Sequence, residues 1–205
     1  MPYDPQTKLA LLAALMAGIG CSGADMSVRP AMPRASVEAA SPTPYNRREW
    51  RHWIDADHDC QDTRQEVLIA ESEVPVEFTD ERRCKVKRGQ WTCPYTGRVI
   101  TDPDELDIDH LVPLENANAS GGWRWSPAKK QAFATDLEHP EALVAVVASA
   151  NRQKGSKGPE AWLPSNTADV CRYIHGWIAV KDRWGLSMSA REARIVHEAS
   201  ERCAK

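Results

Sequence analysis

Asp107-Ile108-Asp109-His110-Leu111-Val112-Pro113-Leu114 is the most informative stretch of the chain, together with Ser149-Ala150-Asn151-Arg152-Gln153-Lys154-Gly155 further along. The first stretch is an acid-x-acid-His pattern at the end of a short apolar run. The second follows another apolar run, Leu143-Val144-Ala145-Val146-Val147-Ala148. Runs of that length read as strands. The expected order is strand, loop, strand, helix, which brings Asp109, His110 and Asn151 together. A carboxylate oxygen and an amide oxygen are hard ligands that suit Mg²⁺ or a similar cation. An adjacent His can take a proton from water near neutral pH. Metal plus base is the equipment for hydrolysing a phosphodiester.

The pattern D-I-D-H-L-V-P-L followed by A-S-A-N-R-Q-K-G resembles the HNH (ββα-metal) endonucleases. More narrowly it resembles a secreted branch related to the C-terminal domain of GmrSD-type restriction enzymes. The resemblance runs from about Tyr45 to Trp184 and includes W-T-C-P-Y-T-G, S-G-G-W-R-W-S and G-P-E-A-W-L-P. It implies an α+β fold, a ββα-metal core wrapped in helices; a small disulfide-linked hairpin beside it is read from the cysteines themselves. It also implies roles. The residue matching His110 is the general base, and those matching Asp109 and Asn151 hold one divalent metal: Mg²⁺, with Mn²⁺ or Zn²⁺ as alternatives. The substrate is nucleic acid, DNA in the first instance, cut to 5′-phosphate and 3′-hydroxyl ends. Asp107 has the alternation to face the same side as Asp109, as a ligand or as a partner that orients one. Glu115 is a further ligand candidate. Arg152, Lys154 and Lys157 are the expected phosphate contacts. The sequence departs from many HNH enzymes at Ala142, where a side chain commonly aligns the base, so a backbone carbonyl or another side chain must do so here.

The chain has 205 residues and a net charge of −3, which bounds it to one domain with a real core. That charge excludes a generally basic nucleic-acid binder, so any such site must be a local patch. Residues 1–24 read as an export signal, with an apolar run from Leu9 to Ile19 too short to span a bilayer. Gly18-Ile19-Gly20-Cys21 resembles a lipoprotein processing site, which would attach the protein to a membrane through a lipid on Cys21. Residues 25–44 form a linker rich in Ala, Ser and Pro, and 45–205 form the catalytic domain. The expected location is outside the cytoplasm: secreted, periplasmic or lipid-anchored. Cys84 and Cys93 flank a hairpin pattern with Gly89 at the turn and are expected to form a disulfide. The pairing of Cys60, Cys171 and Cys203 is open.

Among the remaining segments, Asn46 and Glu49 form a capping box that opens a short helix. Asp55, Asp57 and Asp59 with Glu66 at the twelfth place partly match a calcium loop, although Cys60 stands where such a loop has Gly. The other reading is an acidic turn capping a helix through Val67-Leu68-Ile69. Val74 to Phe78 reads as an edge strand. Arg82, Arg83, Lys85, Lys87 and Arg88 form a basic run that is either a phosphate-backbone contact or a solvated face. Ser126-Pro127 starts a helix, 168–184 is amphipathic, and Ser189 with Glu192 caps a last helix. Two further functions remain: a calcium-binding envelope lipoprotein with an inactive HNH remnant, and a protein that holds DNA without cutting it.

Overall fold

Leu106–His110 pairs antiparallel with Leu143–Val147 along its whole length, and the chain passes directly into a helix at Ala148. The second strand is buried at every position, which fits its unbroken Val-rich run. Asp109 stands opposite Val144 and His110 opposite Leu143, at the end of the pair.

The computed structural model describes residues 44–204 and has an α+β architecture. A 3₁₀ turn, Arg47–Glu49, precedes α1 (Thr63–Glu71). Four short strands follow: β1 (Glu77–Phe78), β2 (Val86–Arg88), β3 (Trp91–Thr92) and β4 (Val99–Ile100). Then come β5 (Leu106–His110), α2 (Leu114–Ala119), α3 (Pro127–Ala134), β6 (Leu143–Val147) and α4 (Ala148–Lys154). The described chain closes with α5 (Val170–Trp184) and α6 (Ala190–Cys203). The described strands form three antiparallel pairs, β1–β2, β3–β4 and β5–β6. The export signal, Cys21 and nearly all of the linker lie outside the described residues.

Local chemistry explains the helix starts. Asn46 accepts from Arg48 N, Ser126 caps α3 with Pro127 at its first position, and Ser189 and Glu192 form a full capping box on α6. Asp62 caps α1, which supports the acidic-turn reading of that end. The unexpected helix contact is Glu71. Its Oε2 accepts from Ala145 N at 2.8 Å and so covers the open edge of β6.

Aromatic side chains dominate the core. Trp50, Trp91, Trp177, Tyr95 and Tyr173 are fully buried. Trp125 packs on Trp50, Phe133 and Trp184 with ring centroids no more than 5.7 Å apart. It is therefore part of the core. Gly122 is required there, since a Cβ would sit 2.9 Å from the Trp50 ring and 2.7 Å from Ala117 O.

The expected disulfide is corrected. Cys84 pairs with Cys60, and Cys171 pairs with Cys203. Cys93 is a free, buried thiol whose Sγ accepts from Val147 N at 3.3 Å. The hairpin that would have joined Cys84 to Cys93 does not form. β2 pairs with β1, and β3 with β4. Gly89 serves close approach instead, because a Cβ there would lie 2.5 Å from the Trp91 ring. The turn glycine is Gly97, at φ 72°, with its N donating to Cys93 O at 2.8 Å. The expected strand from Val74 shortens to Glu77–Phe78.

Candidate active site

β5 ends with Asp109 and His110, which are 5% and 6% exposed. Arg64 fixes the start of this strand by donating to Pro103 O at 2.9 Å and Leu106 O at 3.0 Å. α4 leaves β6 and carries Asn151 and Arg152. Asp109, His110, Asn151 and Arg152 line one pocket of about 250 Å³, and Arg47 lines it from the N-terminal 3₁₀ turn.

His110 Nε2 lies 2.9 Å from Ala134 O. A carbonyl only accepts, so Nε2 carries the proton and Nδ1 is left with its lone pair. The alignment left open by Ala142 thus falls to a backbone carbonyl at the C-terminal end of α3. Such carbonyls carry the negative end of the helix dipole and favour a charged imidazole. Burial acts the other way and is stronger. It pulls the His110 pKa from 6.5 to about 3, with the charges of Arg47 and Lys154 adding to the shift. His110 is therefore neutral near pH 7 and has the form that receives a proton.

Asp109 is held from two sides. Tyr95 OH donates to its Oδ2 at 2.6 Å, and Lys154 Nζ lies 3.0 Å from Oδ1 and 2.7 Å from Oδ2. Lys154 also donates to His110 O at 3.0 Å. Burial pushes the Asp109 carboxyl up and the Lys154 ammonium down, and their mutual attraction opposes both shifts. The Tyr95 hydroxyl is pushed well above its ordinary range by the same burial and by the Asp109 charge, so it stays a donor.

The expected phosphate contacts separate. Lys154 is wholly buried and is a structural cation for Asp109, not a surface contact. Arg152 is exposed at the pocket. Lys157 is exposed and donates to Gln153 O at 2.5 Å. Asp107 accepts from Asn151 Nδ2 at 3.1 Å and is not among the residues lining the pocket, so it orients Asn151. Glu115 is exposed and does not line the pocket either. With its nitrogen turned to Asp107, Asn151 keeps its amide oxygen for another partner. A carboxylate and an amide oxygen on one pocket wall are hard ligands of the kind a divalent cation takes, and a cation there would share the Asp109 carboxylate with Tyr95 and Lys154.

Three participants went unassigned from sequence: Tyr95, Lys154 as a partner of Asp109, and Arg47. Tyr95 lay inside W-T-C-P-Y-T-G without a role. Lys154 had a signal. It stands three residues after Asn151, hence on the same helix face. Arg47 had none, because its turn is brought to the pocket only by tertiary packing.

Two other places bear on function. Ligand oxygens of Asp55, Asp57 and Asp59 lie within 4.8 Å of one another, and these carboxylates with burial push the Glu66 pKa up, burial contributing most. A larger groove of about 1010 Å³ along α5 and α6, lined by His175 and His197, shares no residue with the pocket at His110.

No protein-family model matches the chain, and no solved structure matches it. In sequence it is 38% identical over 149 residues to an uncharacterized secreted protein of Arthroderma benhamiae, covering 72% of this chain and 70% of that protein. The chain belongs to the family of this secreted Arthroderma benhamiae protein.

Proposed function

We propose that the protein is an exported, metal-dependent endonuclease of the HNH (ββα-metal) type, acting on phosphodiester bonds in nucleic acid, DNA first. The observation that carries this reading is His110. It is neutral and pinned through Nε2 to Ala134 O, and it opens on the same pocket as Asp109 and Asn151. The strand–strand–helix order of β5, β6 and α4 supports it. Export is supported by the secreted relative and by two disulfides.

Water positioned at Nδ1 of His110 loses its proton to that nitrogen as its oxygen bonds to phosphorus. The bond from phosphorus to the 3′ oxygen breaks, and that oxygen takes a proton from solvent, leaving 5′-phosphate and 3′-hydroxyl ends. A buried imidazolium is costly, and the negative charge of a bound phosphodiester is what offsets it. Asp109 and Asn151 would hold a divalent cation, with Mg²⁺ the best chemical match and Mn²⁺ or Zn²⁺ as alternatives. When bound, such a cation supplies positive charge for the phosphate and the departing oxygen. Lys154 and Tyr95 fix the Asp109 carboxylate, and Asp107 fixes Asn151.

Supercoiled plasmid tests this. The purified protein nicks it with Mg²⁺ or Mn²⁺ and not with EDTA, and His110→Ala stays folded and loses activity at least 100-fold. Activity retained in the variant would sink the mechanism. No cutting by folded protein with any of Mg²⁺, Mn²⁺, Ca²⁺ or Zn²⁺ would favour the calcium-binding envelope protein. That reading draws on the clustered Asp55, Asp57 and Asp59, whose Asp55 Oδ1 is buried without a hydrogen-bond partner.

A further inference from the structure

We infer that Arg47, held in place by His52, is the residue that grips the scissile phosphate in the pocket at His110; this rests on the nuclease reading. The charge balance of the pocket asks for an anion. Asp109 is offset by Lys154 at 2.7 Å, so its charge is already matched within the protein. Arg47 and Arg152 line the same pocket, and neither pairs with a carboxylate among the described residues. Two guanidiniums without carboxylates form a site for a phosphate group, which a planar guanidinium can grip through two parallel hydrogen bonds.

The segment that carries Arg47 is anchored. Asn46 caps the turn, Trp50 N donates to Arg47 O at 3.0 Å, and Trp50 itself is fully buried. Lys130 ties Glu49 to α3 at 2.6 Å. The next residues then cross His110. The ring centroids of His52 and Trp53 lie 6.1 and 6.0 Å from that of His110. Trp53 adopts φ 56°, a strained conformation for a bulky residue. His52 links anchor and cation. Its Nδ1 lies 2.7 Å from Trp50 O, and its Nε2 lies 3.3 Å from Arg47 Nη2. The carbonyl fixes Nδ1 as the protonated nitrogen, so Nε2 accepts from the guanidinium. His52 is thus a positioning residue that turns Arg47 toward the pocket.

The test compares wild type, Arg47→Ala, Arg47→Lys, His52→Ala and the Arg47→Ala/His52→Ala double variant, each checked for folding by circular dichroism. Plasmid nicking gives kcat and KM. Binding of a fluorescent oligonucleotide to the same variants carrying His110→Ala is followed against salt. Arg47→Ala lowers kcat/KM by about 10²- to 10³-fold, as loss of one transition-state donor does, and Arg47→Lys restores only part of it. His52→Ala loses about tenfold, and the double variant is no worse than Arg47→Ala, because His52 acts through Arg47. In the binding assay Arg47→Ala weakens affinity and lowers the log–log salt slope by about one. Nicking by Arg47→Ala within twofold of wild type would overturn the inference, and additive losses in the double variant would overturn the role of His52. If wild type cuts nothing, the nuclease reading fails by itself. A salt slope that still drops with Arg47→Ala then keeps the phosphate grip, while an unchanged slope, or no binding, removes it.

Discussion

At the residue scale, Lys154 controls how much negative charge the pocket presents. Removing the ammonium leaves Asp109 buried and uncompensated, so Lys154→Met is expected to cost about 3 to 5 kcal/mol, read from the denaturant midpoint. If a divalent cation reaches Asp109, millimolar Mn²⁺ will raise the thermal midpoint of Lys154→Met more than that of wild type. Equal shifts would mean that cations do not reach this carboxylate. Asp109, His110 and Asn151 could be picked out as candidates because their types and spacing are restrictive, and the fold brings all three to one pocket. Their partners could not. A lysine in a basic run reads as solvated surface until the fold shows that one face of α4 is closed over, and nothing in a tyrosine reports which carboxylate it will meet.

At the element scale, β5, β6 and the helix after them follow from apolar runs and polar punctuation. The caps at Asn46, Ser126 and Ser189 also stand where side-chain chemistry demands. Short strands were harder, because pairs such as β1–β2 and β3–β4 are set by which partner arrives, not by local pattern. Glu71 shows the same limit. Burial pushes its pKa from 4.5 up to about 7, with the Ala145 hydrogen bond and Arg172 opposing. Between those values the folded protein holds a proton that the unfolded chain has released. The contribution of Glu71 to stability therefore falls as pH rises from about 4.5 to 7, and the loss is complete above that. Glu71→Gln keeps an acceptor for Ala145 N and flattens this slope. It should be more stable than wild type at pH 8, by up to about 3 kcal/mol, and near parity at pH 4. Parallel stability curves for the two proteins would rule out Glu71 as the source.

At the scale of the whole molecule, α5 and α6 brace the site from outside. The buried pair Lys181–Glu192, at 2.7 Å, joins them, and Lys181 also donates to Ser120 Oγ at 2.8 Å. The Cys171–Cys203 disulfide, with a sequence separation of 32, closes the same two helices. Replacing both cysteines with serine should cost about 3 to 4 kcal/mol, seen as a lower denaturant midpoint. Reducing agent should lower wild type toward the variant. No change on reduction would mean that these helices are held by packing alone.

The free thiol of Cys93 has a consequence for how this protein matures. In an oxidising compartment the unfolded chain joins nearby cysteines most readily, since short loops cost least to close. Cys84 and Cys93 are closer in sequence than either native pair, whose separations are 24 and 32. The easiest early bond is therefore a wrong one. Cys93 leaves thiol exchange only when it is buried with Val147 N on its sulfur, at the junction of β6 and α4. Burial of Cys93 at this junction thus links correct pairing of Cys84 to assembly of the strand and helix that carry Asn151.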